Sequence, residues 1–269
     1  MLLTKQVMKH LEILLLELFL KTKNNIKVAL ILSVLLFQNS YSQKKIEHQQ
    51  LIWYGYFNSF IINSNWKFHS DVQERHFINP VAQHQLVFRT FVERKLVHNW
   101  SSLLGMILFY QSPQDPNSPS NLMVPELRPV VGFANFESLG LLKINQKYQL
   151  EARFFHNQDN GELTSGYDFS NFRFRYLLSF DYPIFRIHNA DKLILKVKDE
   201  VMLNIGNKIV KNTFDQNRLY LATNYAITPK LSFEVGYMNW FQQQRNGTDY
   251  YNRDIIRFSI FQTISSKKK

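Results

Sequence analysis

Arginines at alternate positions, separated by bulky apolar residues, are the side chains of this chain best placed to do chemistry. In the segment 171–180, Arg173 and Arg175 fall on one parity and five aromatic or aliphatic residues on the other. Only a β-strand, with its period of two, places these sets on separate faces. A row of cations on one face favours anions over cations. The split is typical of a membrane barrel with an apolar exterior and a polar lumen, since an arginine facing lipid at mid-depth would cost roughly 2–4 kcal/mol.

The same alternation recurs along the chain and predicts a charged lumenal face. Segments 143–157, 191–204 and 230–243 each place apolar residues on one parity and charged or polar residues on the other. Asp199 is an exception, because it falls on the apolar parity near the middle of its segment. The predicted lumen-facing charged residues are Arg75, Arg89, Glu93, Glu126, Arg128, Glu151, Arg153, Arg173, Arg175, Lys196, Lys198, Glu200, Arg218, Glu234 and Arg257.

Both signs of charge occur in this set, which leaves two interpretations. Acidic and basic residues on adjacent strands can pair across a narrow barrel and partly plug it, giving a purely structural interior. Alternatively, the charges form a selective permeation path or a ligand site.

Nucleophilic and metal chemistry has weaker sequence support. Some barrel enzymes hydrolyse lipids with serine and histidine on the lipid-facing surface, and His69 and His84 are the first candidates for such a base. No serine is spaced beside any histidine in a way that argues for a nucleophile–base pair. Histidine spacing suited to a metal and glycine-rich phosphate loops are both absent from the sequence. We therefore predict no catalytic residues, no metal site, no cofactor and no enzymatic activity.

The elements that must position the charges are strands. The sequence predicts eleven alternating segments, at 50–62, 65–77, 83–97, 99–110, 123–136, 143–157, 169–181, 191–204, 213–226, 230–243 and 252–264. The predicted fold is all-β, a transmembrane antiparallel up-and-down barrel. An even strand number needs one more strand, which we place at 43–50, so about 12 strands are expected, with 10 as the alternative.

The connections alternate in length, which predicts the orientation. Short turns contrast with longer polar loops, predicted at 111–122, 157–168, 204–212 and 242–252. Outer-membrane barrels have short periplasmic turns and long outer loops. We therefore predict that the long loops face the cell exterior. The connection after Asp181 is longer than this alternation expects.

The first 42 residues are predicted to be a signal peptide, and 43–269 the barrel. Lys21, Lys23 and Lys27 precede a ten-residue apolar run, 28–37, and the small residues Ser40 and Ser42 follow. This is the pattern of a secretory signal, and ten apolar residues are too few to cross about 30 Å of hydrocarbon. A second apolar run lies further upstream, and its alternative interpretation is a misassigned start at Met1, with translation beginning nearer the lysines.

The charge and the cysteine content limit which partners can be expected. Without residues 1–42 the chain keeps 27 basic and 19 acidic residues and has no cysteine. Because the basic residues are spread over strands of an exported protein, nucleic acid is not the expected partner. We expect outer-membrane lipid, lipopolysaccharide and the barrel-assembly machinery of a Gram-negative bacterium as partners. The oligomeric state is not predicted.

Several segments resemble a known family. They are 50–58 with Trp66 and Glu74-Arg75, then 126–129, 150–154, 171–176, 215–218 and 234–239, in this order. Together they resemble the exported bacterial proteins grouped as domain-of-unknown-function family 2490. The resemblance implies an outer-membrane β-barrel and no particular activity. The ending Ser265-Ser-Lys-Lys-Lys269 departs from barrels that end on an aromatic residue.

Three functional hypotheses follow. The first is a narrow passive channel or solute-binding barrel of the outer membrane, in which Arg153, Arg173, Arg175, Lys196 and Lys198 favour anions. The second is a structural or surface-interaction barrel with a plugged lumen. The third is a lipid-modifying barrel hydrolase.

Overall fold

The computed structural model describes residues 44–266, and these form one closed β-barrel. The predicted signal peptide lies outside the described residues. No helix within 44–266 is long and apolar enough to cross a membrane. The strands are β1 (Ile46–Ile61), β2 (Trp66–Phe77), β3 (Ala82–Lys95), β4 (Trp100–Gln111), β5 (Val124–Leu139), β6 (Leu142–Asp159), β7 (Glu162–Ile187), β8 (Ala190–Ile205), β9 (Phe214–Thr228), β10 (Leu231–Gln243) and β11 (Tyr250–Ser265).

Neighbours in sequence are neighbours in the barrel, and every hairpin is antiparallel. Closure is different, because β1 pairs with β11 in parallel from Ile46↔Tyr250 to Ile61↔Ser265. An up-and-down barrel with an odd number of strands must close this way, since its first and last strands run in the same direction. The predicted all-β, up-and-down barrel is confirmed, with eleven strands in the described part of the chain instead of about twelve.

The difference in strand number arises at the N-terminal end of β1. Of the separate strand predicted at 43–50, the described residues 44–50 form none, because residues 46–50 belong to β1 and pair with β11. Each of the eleven predicted segments corresponds to one strand of the barrel.

Strand β7 is much longer than its alternation predicted. The predicted loop 157–168 is a hairpin that extends β6 and β7, with the tight turn at Asn160 and Gly161, both in the left-handed region. At its other end β7 continues past Asp181 to Ile187, where His188 and Asn189 form the turn. These additional residues remain paired with β6 at one end and with β8 at the other, and the register shifts locally within each hairpin.

The two rims of the barrel differ, as the alternation of connections predicted. One rim carries the connections 112–123, 206–213 and 244–249 together with two shorter ones, and we call it the loop rim. The other carries only connections of two to four residues, including 62–65 and 140–141, and we call it the turn rim. A cavity inside the barrel can therefore be described by the rim it approaches.

The side chains divide between the two barrel faces as the strand period requires. Large apolar side chains cover the outside, among them Leu104, Phe133, Leu221 and Tyr225, each at least half exposed. Arg173, Glu151 and Glu234 point inward and are almost completely buried. This is the opposite of a soluble calyx, which would bury its aromatic residues and expose its charges. Asp199 remains exposed on the outer face, where it accepts a hydrogen bond from Asn217 (2.6 Å).

Candidate functional site

A buried ion-pair network occupies one side of the lumen towards the loop rim. Glu126 of β5 accepts hydrogen bonds from Arg128 (2.6 Å) and from Arg153 of β6 (2.6 Å). Glu151, also on β6, accepts from Arg173 of β7. Arg173 in turn reaches Asp215 of β9 at 3.1 Å. Pairing across neighbouring strands compensates each buried charge, which would otherwise destabilise the barrel.

The network continues around the barrel through weaker pairs. Arg175 lies 3.4 Å from Glu151 and 3.5 Å from Glu200, and Glu200 also lies 3.4 Å from Arg218. Glu234 lies 3.4 Å from Lys196 and 3.9 Å from Lys198. Nearly every carboxylate here faces more than one cation, and Arg173 and Arg175 each face two carboxylates, so the charges around these two arginines form one connected network.

An apolar cluster fills the opposite side of the lumen at a similar level. Trp53 and Trp240 meet edge to face, with 5.6 Å between ring centroids. Arg75 lies 3.9 Å above the Trp53 ring, and Arg253 lies 4.6 Å from the Trp240 ring. The remaining buried apolar members are Leu51, Phe77, Tyr220, Ala222, Met238 and Ile255. Cation–π contacts of this kind hold arginines where there is no carboxylate.

The loop between β4 and β5 folds over this cluster. Its Gln114 accepts a hydrogen bond from Arg253 (2.8 Å) and, through its backbone carbonyl, from Gln49 (2.9 Å). Arg253 and His84 are fully buried, and Trp53 and Trp240 are 2 % exposed. A water-filled passage beside these side chains would leave them accessible, so none runs there. We call this layer, formed by Trp53, Trp240, Arg75, Arg253 and Gln114, the seal.

Between the seal and the turn rim, the lumen is hollow. A central cavity of about 370 Å³, the chamber, is lined by seven cations and three carboxylates. A wider cavity of about 740 Å³, the vestibule, reaches the turn rim and shares Glu93, Lys147 and Lys198 with the chamber. A solute can therefore enter from the turn rim and meet the seal at the far end.

Three chamber cations make no ion pair within 4.0 Å among the described residues, although Glu93 and Glu200 act on Lys147, and Glu234 acts on Arg257, at longer range. Arg75 donates only to the amide oxygens of Gln85 (2.6 Å) and Gln73 (2.8 Å). Arg257 donates to the Ser259 hydroxyl (3.1 Å), and Lys147 makes no ion pair. A cation left without a carboxylate in a low-dielectric cavity attracts an anionic ligand strongly.

A serine, a histidine and a glutamate are linked in the wall of the chamber. The Ser59 hydroxyl of β1 lies 2.9 Å from His69 Nδ1 of β2, and His69 Nε2 lies 2.7 Å from a carboxylate oxygen of Glu93 on β3. All three line the chamber. The described residues contain no group of three metal-ligating side chains.

The fifteen charged residues named from sequence all lie on the inward parity of their strands. Arg75, Arg89, Glu93, Arg175, Lys198, Glu200, Arg218 and Arg257 line the chamber, while Glu126, Arg128, Glu151, Arg153 and Arg173 form the buried network. Lys196 lines the vestibule, and Glu234 is buried between Lys196, Lys198 and Tyr220.

Sequence reasoning missed several lumenal groups that complete the site. Asp71 pairs with Arg89 at 2.8 Å, Asp215 with Arg173, and Arg253 belongs to the seal. Parity within each strand would have found Asp71 and Arg253. Ser59 could have been found from the predicted turn between the first two strands, because a hairpin centred on Ser64 pairs Ser59 with His69.

Comparison with known proteins places the chain in a family but gives no activity. The model of the family described as "Protein of unknown function (DUF2490)" matches residues 50–252. No curated protein matches the chain. Among solved structures, one titled "NanC porin structure in rhombohedral crystal form" is similar, with a TM-score of 0.48 and 12 % sequence identity over 79 % of this chain and 98 % of that chain.

Proposed function

Since the chain belongs to the DUF2490 family, whose members are described as having unknown function, we propose its role from its own geometry. The protein is a solute-binding barrel of the bacterial outer membrane, and its chamber binds small anions that enter from the turn rim. The apolar exterior fits membrane lipid and lipopolysaccharide, because a soluble protein rarely exposes so large an apolar surface.

The observation that carries this proposal is the presence of partly exposed chamber cations that make no ion pair. Lys147 and Arg257 make no ion pair among residues 44–266 and are partly exposed, although they share the cavity with Asp71, Glu93 and Glu200. A purely structural lumen would pair its charges, as the Glu126 and Glu151 clusters do. Unpaired cations around a hollow are the arrangement that an anionic ligand completes.

The seal favours binding over free passage. Gln114 and the Trp53–Trp240 pair close one side of the lumen towards the loop rim, and the buried ion-pair network fills the other, so passage through the barrel requires displacement of one of them. An open, unobstructed pore would leave these groups accessible to water. The chamber is therefore proposed as a binding site first, with transport depending on movement of the seal.

The proposal is tested by anion titration of the purified, detergent-refolded barrel. Trp53 lines the chamber, so tryptophan fluorescence reports on occupancy. We expect inorganic phosphate and citrate to bind saturably and glucose not to bind. Replacing Lys147 or Arg257 with Met should weaken binding about tenfold or more, since a hydrogen bond to a charged group contributes about 1.5–3 kcal/mol.

The matched control is Lys230→Met, which removes the same charge from the exposed turn between β9 and β10. Its anion affinity should equal that of the parent. Equal affinities in the Lys147, Arg257 and Lys230 variants, or glucose binding as tight as citrate binding, would overturn the proposal.

A further inference from the structure

The linked Ser59, His69 and Glu93 side chains carry an inference that goes beyond solute binding. We propose that they form a nucleophilic site in the chamber wall that cleaves esters of small carboxylic acids. Ser59 is the nucleophile, His69 is the general base, and Glu93 orients the imidazole. The site stands on its own geometry, whether or not the chamber also retains anions.

The distances place each group in its role. With its proton on Nε2, His69 donates to Glu93 over 2.7 Å, and the lone pair of Nδ1 then faces the Ser59 hydroxyl at 2.9 Å. A carboxylate that fixes the tautomer and orientation of a histidine beside a hydroxyl is the arrangement of serine hydrolases. Here the two ring nitrogens exchange the roles they have in the chymotrypsin triad.

The register of three neighbouring strands creates this arrangement. Ser59 and His69 are direct partners across the β1–β2 hairpin, and Glu93 lies diagonally from His69, whose partner on β3 is Phe91. Groups on adjacent strands are held more rigidly than groups on loops, which suits catalytic positioning.

Accessibility separates these residues from the buried charges elsewhere in the lumen. The His69 and Glu93 side chains are 28 % and 23 % exposed, whereas Glu126 and Glu151 are completely buried. His84, the other lumenal histidine, is fully buried between Phe77 and Trp240 and has only Gln114 as a hydrogen-bond partner. Only the first site can meet a solute.

The reaction balances with water as the one co-reactant. The Ser59 oxygen bonds to the ester carbonyl carbon while its proton passes to His69 Nδ1. The carbon–oxygen bond to the leaving alcohol then breaks, and the alcohol takes that proton. Water then gives a proton to Nδ1 and its hydroxide to the acyl carbon. The bond between the acyl carbon and the Ser59 oxygen breaks, the proton on Nδ1 returns to that oxygen, and the acid leaves. Lys147 and Arg257 line the same chamber and offer positive charge to the oxyanion.

A fluorophosphonate probe tests the site, because it phosphonylates activated serines. The full barrel, refolded in detergent, is incubated with the probe, and the modified residue is mapped by mass spectrometry. We expect modification at Ser59, lost in Ser59→Ala and slowed about a hundredfold in His69→Gln, as expected for removal of a general base. Glu93→Gln should slow it as well.

The control variant is Ser179→Ala, which removes a lumenal hydroxyl that lines the vestibule and donates to Asp181. It should be modified at the parent rate. Absence of probe from Ser59 in the parent barrel would overturn the proposal without reference to any variant. Modification at an unchanged rate in folded His69→Gln, verified by heat-modifiable gel migration, would do so too.

Discussion

At the scale of single residues, burial decides which lumenal charges are structural. Glu151 is completely buried and faces Arg128, Arg173 and Arg175 within 3.6 Å. Its carboxylate therefore compensates three cations from two strands, β5 and β7. Arg257 in the chamber wall makes no ion pair among the described residues and is partly exposed, so in the proposed function its charge is available to a ligand.

This distinction predicts losses of stability of very different size for two glutamate substitutions. Glu151→Gln should lower the free energy of unfolding by about 3–5 kcal/mol, because it leaves buried arginines uncompensated. Glu137→Gln, at the exposed end of β5, should change it by less than about 0.5 kcal/mol. Guanidinium unfolding followed by tryptophan fluorescence measures both. Equal stabilities would show that the network contributes nothing to folding.

Sequence parity was sufficient to assign residues to a face but not to a network. Arg173 and Arg257 look alike in sequence, since both alternate with apolar residues on their strands. Arg173 nevertheless forms two ion pairs and Arg257 forms none with a described carboxylate. The difference depends on contacts between strands distant in sequence, such as Arg173 with Asp215, which a single alternating segment does not contain.

At the scale of elements, the inward-facing glycine of β10 shows how tightly the lumen is packed. A Cβ on Gly236 would lie 2.5 Å from the Tyr220 ring and 2.6 Å from the Cβ of Ala222. Gly236→Val should destabilise the barrel by about 1–3 kcal/mol through overpacking. Thr223→Val, on the exposed face of the neighbouring strand β9, should have little effect. Similar unfolding midpoints for the two variants would contradict the packing.

The second prediction at this scale concerns the parallel pairing of β1 with β11 that closes the barrel. Tyr54 of β1 and Phe258 of β11 are register partners on the outer face, with stacked rings 5.9 Å apart. Because the chain has no cysteine, Tyr54→Cys with Phe258→Cys should form a disulfide on mild oxidation. Partners on adjacent strands fall within the Cα range that a disulfide spans.

The control pairs Tyr54→Cys with Val235→Cys, one strand further along the barrel. Two strand spacings separate these positions by about 10 Å, which is too far for a disulfide. Non-reducing gels distinguish the linked species. A twelfth strand between β1 and β11 would prevent the first link, so failure of the Tyr54–Phe258 pair would contradict the eleven-strand closure.

The elements were the most predictable level of this molecule. The alternation of apolar and polar residues predicted all eleven strands, because the apolar exterior and the polar lumen impose a period of two on each strand. It failed at the ends of β7, where the polar residues 162–168 and Pro183 interrupt the pattern while the ladder with β6 and β8 continues. Backbone pairing holds those residues in the strand, and it leaves no periodic signature in the side chains.

At the scale of the whole molecule, the division between a polar lumen and an apolar exterior bears on both stability and function. The apolar exterior favours contact with lipid, and in the proposed function the inward charges determine which solutes the chamber accepts. The vestibule connects the chamber with the turn rim, so in the proposed outer-membrane barrel the orientation decides from which compartment a solute arrives. If the long loops face outward, that compartment is the periplasm.

The sign and location of the chamber charge are tested together by thiol labelling at one position. Leu177 lines both the chamber and the vestibule, and Leu177→Cys introduces the chain's single thiol without removing a charge. An anionic methanethiosulfonate reagent should react about ten times faster than a cationic one of similar size, because the cationic wall concentrates anions. The preference should diminish in high salt. A faster reaction with the cationic reagent, or a thiol at this position that neither reagent reaches, would contradict an accessible anion-binding chamber.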